Sequence, residues 1–88
     1  MDIRLAKAYL ESTLITFLRP HFLSIESVDD SIHVIVCHPK FKSMDTLARI
    51  RLVNNLFNLY NEDVMKNYLV VIEAYDSDQM NHLLEELF

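Results

Sequence analysis

The chain has 88 residues, of which 51% are hydrophobic, and 13 acidic against 8 basic residues give it a formal net charge of −5. This length predicts one domain, residues 1–88, and the acidic balance disfavours a general nucleic-acid-binding coat. Glycine is absent and cysteine occurs once, which excludes glycine-dependent phosphate loops and an internal disulfide.

The expected compartment follows from two further features. A single cysteine, Cys37, fits a reducing environment. No apolar run approaches the roughly 20 residues that a membrane-spanning helix needs. We therefore expect a soluble cytoplasmic protein that does not associate with a membrane.

The first half of the chain predicts a helix followed by a hairpin. Apolar side chains recur at helical spacing over residues 2–18, and Pro20 ends the pattern. The alternating segment 22–27 and the β-branched segment 32–38 then predict two strands. Asp29 and Asp30 lie between them and have turn chemistry, so the strands should pair as an antiparallel hairpin.

The second half begins with a longer helix. Ser43 or Asp45 is a suitable N-cap, and the helical pattern runs to about Tyr60. Apolar residues cover more than half of its circumference, which indicates that the helix packs on the sheet and also contacts something else. Residues 61–67 are predicted to be a polar connection, and residues 68–75 a third strand.

The chain closes with a predicted short helix. Asp76 and Gln79 have the spacing of a capping box. An apolar stripe is expected to close the core, with Phe88 at the frayed end; its members are Met80, Leu83, Leu84 and Leu87. A strand–helix–strand series predicts a right-handed crossover with parallel strands. The expected fold is therefore α+β, in the order αββαβα, with a three-stranded mixed sheet and its helices mainly on one face.

Three stretches resemble the BolA family, and its IbaG branch in particular. "HVIVCHPKFKSMD" is similar to the family's central strand and the loop after it, which contains a phenylalanine, here Phe41. "ARIRLVNNLF" is similar to the helix with an arginine–histidine–arginine pattern, and "VVIEAYDSDQM" to the last strand and the turn that follows. The resemblance covers roughly residues 3 to 84 and implies a fold akin to type II KH domains.

The resemblance also implies a function. BolA-like proteins are non-enzymatic partners of monothiol glutaredoxins, with which they can share a [2Fe–2S] cluster in iron–sulfur and redox homeostasis. Some members are described as DNA-binding regulators, which is the alternative. The family's cluster-binding histidine corresponds to Tyr68, and its second ligand to Ser31, with His33 two residues further on. His33 is thus the candidate cluster ligand, and we expect no cofactor in the chain alone.

The positions of the cysteine and the histidines do not favour a metal site within the chain. Cys37 and His38 are neighbours on a strand and point to opposite faces. His33 and Cys37 share a face but lie about 13 Å apart along it, too far for one ion. Cys37 is expected to be a small buried residue, and His33 a half-exposed one. No nucleophile or acid–base pair has a catalytic setting, so we predict no catalytic residue.

Four basic residues follow the second strand: Lys40, Lys42, Arg49 and Arg51. Arg51 is expected on the wet side of the helix, and Arg49 between two apolar stripes with its head reaching water. Three interpretations stay open. The bases form a solvated rim, or a nucleic-acid-binding face, or, together with Tyr68, a surface for a protein partner.

The partner interpretation makes specific residue assignments. Lys42, Arg49, Arg51 and Tyr68 are the expected contacts for a monothiol glutaredoxin. The predicted architecture should bring the arginines and Tyr68 onto a common docking surface. A homodimer through the last helix is a further open alternative.

Overall fold

A computed structural model describes residues 1–87, and side-chain surroundings for residues 1–86. The elements in chain order are α1 (Ile3–Phe17), β1 (Phe22–Val28), β2 (Ser31–Cys37), a short 3₁₀ helix (Pro39–Ser43), α2 (Thr46–Tyr60), α3 (Glu62–Asn67), β3 (Leu69–Tyr75) and α4 (Ser77–Leu87). The predicted α+β class and order of main elements are confirmed. Within residues 1–87, no helix is both long and apolar enough to cross a lipid bilayer.

One mixed sheet of order β1-β2-β3 forms the centre of the fold. β1 and β2 pair antiparallel with Val28 opposite Ser31, and β2 and β3 pair parallel with Ser31 opposite Leu69. The predicted hairpin and the parallel crossover connection are both confirmed. β2 is central, and this explains its β-branched composition.

The core lies on the helix-facing side of the sheet. Ile32, Val34 and Val36 are fully buried, while the alternate residues of β2 up to Ile35 are only partly buried. α1 contributes Leu10 and the other buried apolar residues at helical spacing from it, and α2 contributes Val53 and Phe57. Each fully buried large side chain contributes about 1.5–3 kcal/mol through removal from water.

Two turns adopt left-handed backbone conformations without glycine. Arg19 follows α1 with φ 51°, and Asp29 lies in the hairpin turn with φ 55°. The Arg19 amide donates to the carbonyl of Leu14 at 3.0 Å, which closes the end of the helix. A left-handed non-glycine residue costs roughly 1–2 kcal/mol, although aspartate tolerates it better than arginine.

Residues Glu62–Asn67 form the short helix α3, within the segment that was predicted to be a polar connection. Its first turn carries Glu62 and Asp63 and its last turn Lys66, which is the charge order that complements a helix dipole. Lys66 pairs with Glu62 at 2.8 Å. The Asn61 side chain, just before α3, hydrogen-bonds the Thr13 hydroxyl at 2.8 Å and so ties α3 to α1.

α4 begins as predicted but does not close the core as expected. Asp76 Oδ1 accepts from the Gln79 amide at 2.8 Å, and Gln79 Oε1 accepts from the Asp76 amide at 3.0 Å, which confirms the capping box. Met80 is buried, but residues 81–86 are all exposed, Leu83 and Leu84 included. The Leu87 side chain and Phe88 lie outside the described residues.

Candidate functional site

The Arg49 side chain is buried where the 3₁₀ helix, α2, β3 and α4 meet. Only 5% of the residue is exposed. Its Nε donates to the carbonyls of Phe41 at 2.8 Å and Met44 at 3.0 Å. Its Nη1 donates to the Ala74 carbonyl at 3.3 Å and to Gln79 Oε1 at 2.6 Å. Its Nη2 pairs with Asp76 Oδ2 at 3.4 Å.

This burial corrects the expectation that the Arg49 head reaches water. α2 begins after Asp45, whose carboxylate accepts from the Ala48 amide at 2.8 Å. Within α2, Arg49 lies on the same helical face as the buried Val53 and Phe57, at i, i+4 and i+8. A buried cation is stable only when it is paired and hydrogen-bonded, and here the backbone carbonyls and Asp76 meet both conditions. Arg49 therefore holds the elements together and is not exposed for a partner or a phosphate.

Phe41 and His38 form the apolar side of the same region. The Phe41 ring is fully buried and lies 5.9 Å from the Arg49 guanidinium carbon. The ring centroids of His38 and Phe41 lie 5.7 Å apart. The His38 Nδ1 accepts a hydrogen bond from the Lys40 amide at 3.0 Å, so the His38 side chain caps the 3₁₀ helix. Burial lowers the pKa of His38. The sequence interpretation gave this histidine no role, although a polar residue immediately before Pro39 indicates a cap.

The other three bases of the predicted contact set lie on the surface. Lys40, Lys42 and Arg51 are exposed. Lys42 pairs with Asp78 at 3.1 Å, whereas Lys40 and Arg51 form no ion pair within residues 1–87. Of the four bases predicted to face a nucleic acid, one is buried and one is paired with a carboxylate. The positive charge available to a phosphate is therefore smaller than the sequence indicated.

Tyr68 lies at the other end of β3 from the Arg49 head. It is half-buried just before β3, and its hydroxyl donates to the Met1 carbonyl at 2.7 Å. The Arg49 head contacts Ala74, six residues later, and six strand residues span about 20 Å. The burial of Arg49 removes it from the expected docking surface, whereas a common surface formed by Arg51 and Tyr68 stays a prediction.

His33 stands alone as a possible metal ligand. It projects from the face of β2 opposite the buried Ile32 and Val34, and its Nε2 lies 3.1 Å from the Ser31 hydroxyl. Residues 1–87 hold no group of three or more His, Cys, Asp or Glu residues that could bind a metal ion. The sequence resemblance predicts cluster ligands at the positions of Tyr68 and Ser31, and a phenol and an alcohol do not fit an iron–sulfur cluster.

Cys37 is buried, as expected, at the end of β2. Burial raises the pKa of its thiol, and a hydrogen bond with Ser77 acts in the opposite direction. A protonated, buried thiol is a poor nucleophile and a poor ligand.

Among the comparisons with known proteins, only the comparison with solved structures found similar proteins. No family model matches the chain, and no curated protein matches it. Among solved structures, BolA1 from Arabidopsis thaliana is 21% identical with a TM-score of 0.69, over 83% of this chain and 93% of that chain. The BolA domain of SufE1 from Arabidopsis thaliana is 16% identical with a TM-score of 0.72, over 90% and 98%. A bol-like protein from Babesia bovis is 20% identical with a TM-score of 0.70, over 86% and 90%.

These likenesses agree with the element order and the sheet topology described above. All three cover most of both chains, so they concern the complete arrangement of sheet and helices. Identities this low establish the fold alone. The chain has the BolA fold.

Proposed function

We propose that this chain is a BolA-type adaptor, without enzymatic activity, that binds a monothiol glutaredoxin in iron–sulfur or redox homeostasis. The single observation that carries the proposal is the BolA fold over most of the chain. The quoted sequence stretches add to it, because they fall on β2, on α2 and on β3 with the start of α4.

The surface that we assign to the partner lies on the outer side of α2. Leu47 is 55% exposed and lies one turn before the exposed Arg51, and Leu52 is exposed next to it. Arginine beside exposed apolar side chains has the composition of a protein interface. Lys40 lies on the adjoining 3₁₀ helix and adds positive charge to the edge of this α2 surface, while Lys42 on the same helix pairs with Asp78.

The proposal concerns docking and assigns no cluster chemistry to this chain. The positions expected to hold cluster ligands, Tyr68 and Ser31, do not fit such a group. His33 is the remaining candidate for a ligand shared with the partner. The substitution His33→Ala tests this candidate separately from docking.

The test is to mix the purified chain with a monothiol glutaredoxin, first without and then with its [2Fe–2S] cluster. Light scattering after size-exclusion chromatography measures complex formation, and visible circular dichroism measures a change at the cluster. We expect a one-to-one complex that Arg51→Glu weakens. The matched control is Arg4→Glu, an equal charge reversal at an exposed position of α1, which should leave the complex intact.

Two results would count against the proposal. If neither form of the glutaredoxin changes the hydrodynamic size, the partner assignment fails. If Arg51→Glu and Arg4→Glu weaken the complex equally, general electrostatics explains the binding and the α2 surface is wrong.

DNA binding remains the alternative function, and the surface charges do not favour it. Lys40 and Arg51 are the exposed bases of the predicted face that have no ion pair within residues 1–87. Neutralising about two phosphates gives a slope of roughly −2 in a plot of log affinity against log salt. A mobility-shift series in which the slope is much steeper would revive this alternative.

A further inference from the structure

The face of the sheet that points away from α1 and α2 is exposed over much of its area. Strand residues alternate between two faces, and Ile32, Val34 and Val36 point to the helices. The register of the three strands places six exposed or half-buried residues on the other face. We call them the open sheet face: Glu26, Val28, His33, Leu69, Val71 and Glu73.

The apolar part of the open sheet face lies at the end where the hairpin turns. Val28 is 47% exposed and Leu69 is 68% exposed. Both are paired with Ser31, so they lie about 10 Å apart across the three strands. Val71 is also exposed and continues this apolar surface along β3. A helix is about 10 Å wide, so one helix is sufficient to cover the three strands here.

The charge on the open sheet face is negative and is not compensated by the chain itself. The three strands contain no lysine or arginine. Glu26 and Glu73 are exposed, and neither forms an ion pair in the described part of the chain. Lys66, three residues before β3, is already held in an ion pair within α3. Arg19 and Lys40 lie beyond the other end of the sheet, where β1 begins and β2 ends.

Two hydrogen bonds hold polar side chains of the open sheet face in place. The Tyr75 hydroxyl donates to Glu73 Oε1 at 3.1 Å, and this bond leaves Glu73 Oε2 available. The His33 Nε2 lies 3.1 Å from the Ser31 hydroxyl. A carboxylate that is already oriented loses less side-chain entropy when it binds a cation.

We propose that the open sheet face binds an amphipathic helix of a partner protein that carries lysine or arginine beyond a group of apolar residues. The apolar residues pack on Val28 and Leu69, and the cations lie near Glu26 and Glu73. β3 rises about 13 Å from Leu69 to Glu73, which is between two and three turns of a helix. A helix laid on an uncovered sheet face completes a further layer of the fold.

Other occupants do not match this charge. Two copies of the chain that met through this face would bring four carboxylates together, with no lysine or arginine from any strand between them. Like charges placed together across an interface are unfavourable. Phosphates of nucleic acids or anionic lipids would be repelled for the same reason.

The inference does not depend on the glutaredoxin assignment. The surface proposed for the glutaredoxin lies on the outer side of α2, and α2 packs on the opposite face of the sheet through Val53 and Phe57. The two surfaces therefore lie on opposite sides of the molecule, and binding at one can fail without affecting the other.

The test is an NMR titration of the chain labelled with ¹³C at the methyl groups of leucine and valine. The probe is a capped helical peptide of about 14 residues, which is roughly four turns. One face of the peptide carries leucines in its first half and lysines in its second half. We expect saturable shifts at the methyl groups of Val28, Leu69 and Val71. A control peptide with glutamine in place of every lysine should bind several-fold more weakly.

Matched variants separate this face from the rest of the surface. Glu26→Gln and Glu73→Gln should each weaken binding by about three-fold, as expected for an exposed ion pair. Glu11→Gln removes an equally exposed carboxylate from α1 and should leave the affinity unchanged. Leu69→Ser should weaken binding by about ten-fold. Leu59→Ser is its control, since Leu59 is 71% exposed but lies on α2.

Four results would overturn the inference. Equal affinity for the lysine and glutamine peptides would show that the carboxylates do not select the occupant. An equal loss in Glu11→Gln and Glu73→Gln would show that general electrostatics explains the binding. Methyl shifts confined to residues outside the open sheet face would place the peptide elsewhere. Shifts on this face that grow with protein concentration alone would assign it to a second copy.

Discussion

Replacing Arg49 with methionine should severely destabilise the fold. The change removes the positive charge and all five polar contacts of the side chain but keeps a flexible apolar stem of similar length. The carbonyls of Phe41, Met44 and Ala74 lose their side-chain donor, and the Asp76 carboxylate keeps only its bond from the Gln79 amide. Gln79 is itself exposed and can bind water.

The magnitude follows from burial. Removing one partner of a buried ion pair costs about 3–5 kcal/mol, because the other charge stays desolvated. A domain of 88 residues has a total stability of roughly 4–13 kcal/mol at the usual 0.05–0.15 kcal/mol per residue. We therefore expect Arg49→Met to remove a large part of the free energy of unfolding and to leave a fraction of molecules unfolded at room temperature.

Urea unfolding followed by far-ultraviolet circular dichroism measures the loss, since the chain has no tryptophan for fluorescence. The matched control is Arg51→Met, two residues along the same helix but exposed, which should change stability by no more than about 0.5 kcal/mol. Arg49→Met combined with Asp76→Asn should recover part of the loss, because no buried charge then remains unpaired. A loss below about 1 kcal/mol for Arg49→Met would refute the claim that this network holds the four elements together.

Three further predictions concern single residues. Arg19→Gly should raise the free energy of unfolding by about 0.5–1 kcal/mol, because Arg19 has a left-handed backbone that glycine adopts without strain; a lower urea midpoint would contradict this. Burial lowers the pKa of His38 below its ordinary 6.5, so the unfolded chain binds the proton more readily. The stability that comes from the uncharged His38 is fully present above pH 6.5 and is lost as the pH falls through the lowered pKa of the folded state. NMR titration of the His38 ring should give a midpoint below 6.5, and His38→Gln should reduce the loss of stability on acidification. A midpoint above 6.5 would contradict this, because His38 would then add stability as the pH falls. Cys37 should react with a thiol reagent far more slowly in the folded chain than in urea, because its thiol is buried and its pKa is raised; equal rates would place it at the surface.

Local patterns were sufficient for most of the architecture. The β-branched run of β2 indicated the central strand, and Asp29 with Asp30 indicated the hairpin turn. The capping box at the start of α4 was visible in the spacing of Asp76 and Gln79. Each of these signals acts between residues that are close along the chain, so a short window of sequence contains the whole interaction.

The surroundings of Arg49 depended on residues that are distant in sequence. The apolar pattern placed Arg49 between two apolar stripes of α2, but it did not show which other elements cover that side of the helix. Whether an arginine between two apolar stripes reaches water depends on acceptors from other elements, here Ala74 and Asp76. The short α3 was missed for a related reason, since a helix of six residues is stabilised by tertiary contacts rather than by propensity.

The sequence by itself determined the periodicities, turns and caps, and through them the order of elements and the mixed sheet. The tertiary structure alone decided which charges are buried, which pair with a carboxylate and which remain exposed. It separated Tyr68 from the Arg49 head along β3, and it left residues 81–86 of α4 exposed. The physical reason is that secondary structure depends on interactions within a few residues. Burial and charge pairing depend on the acceptors and apolar surfaces that distant segments bring to the same place.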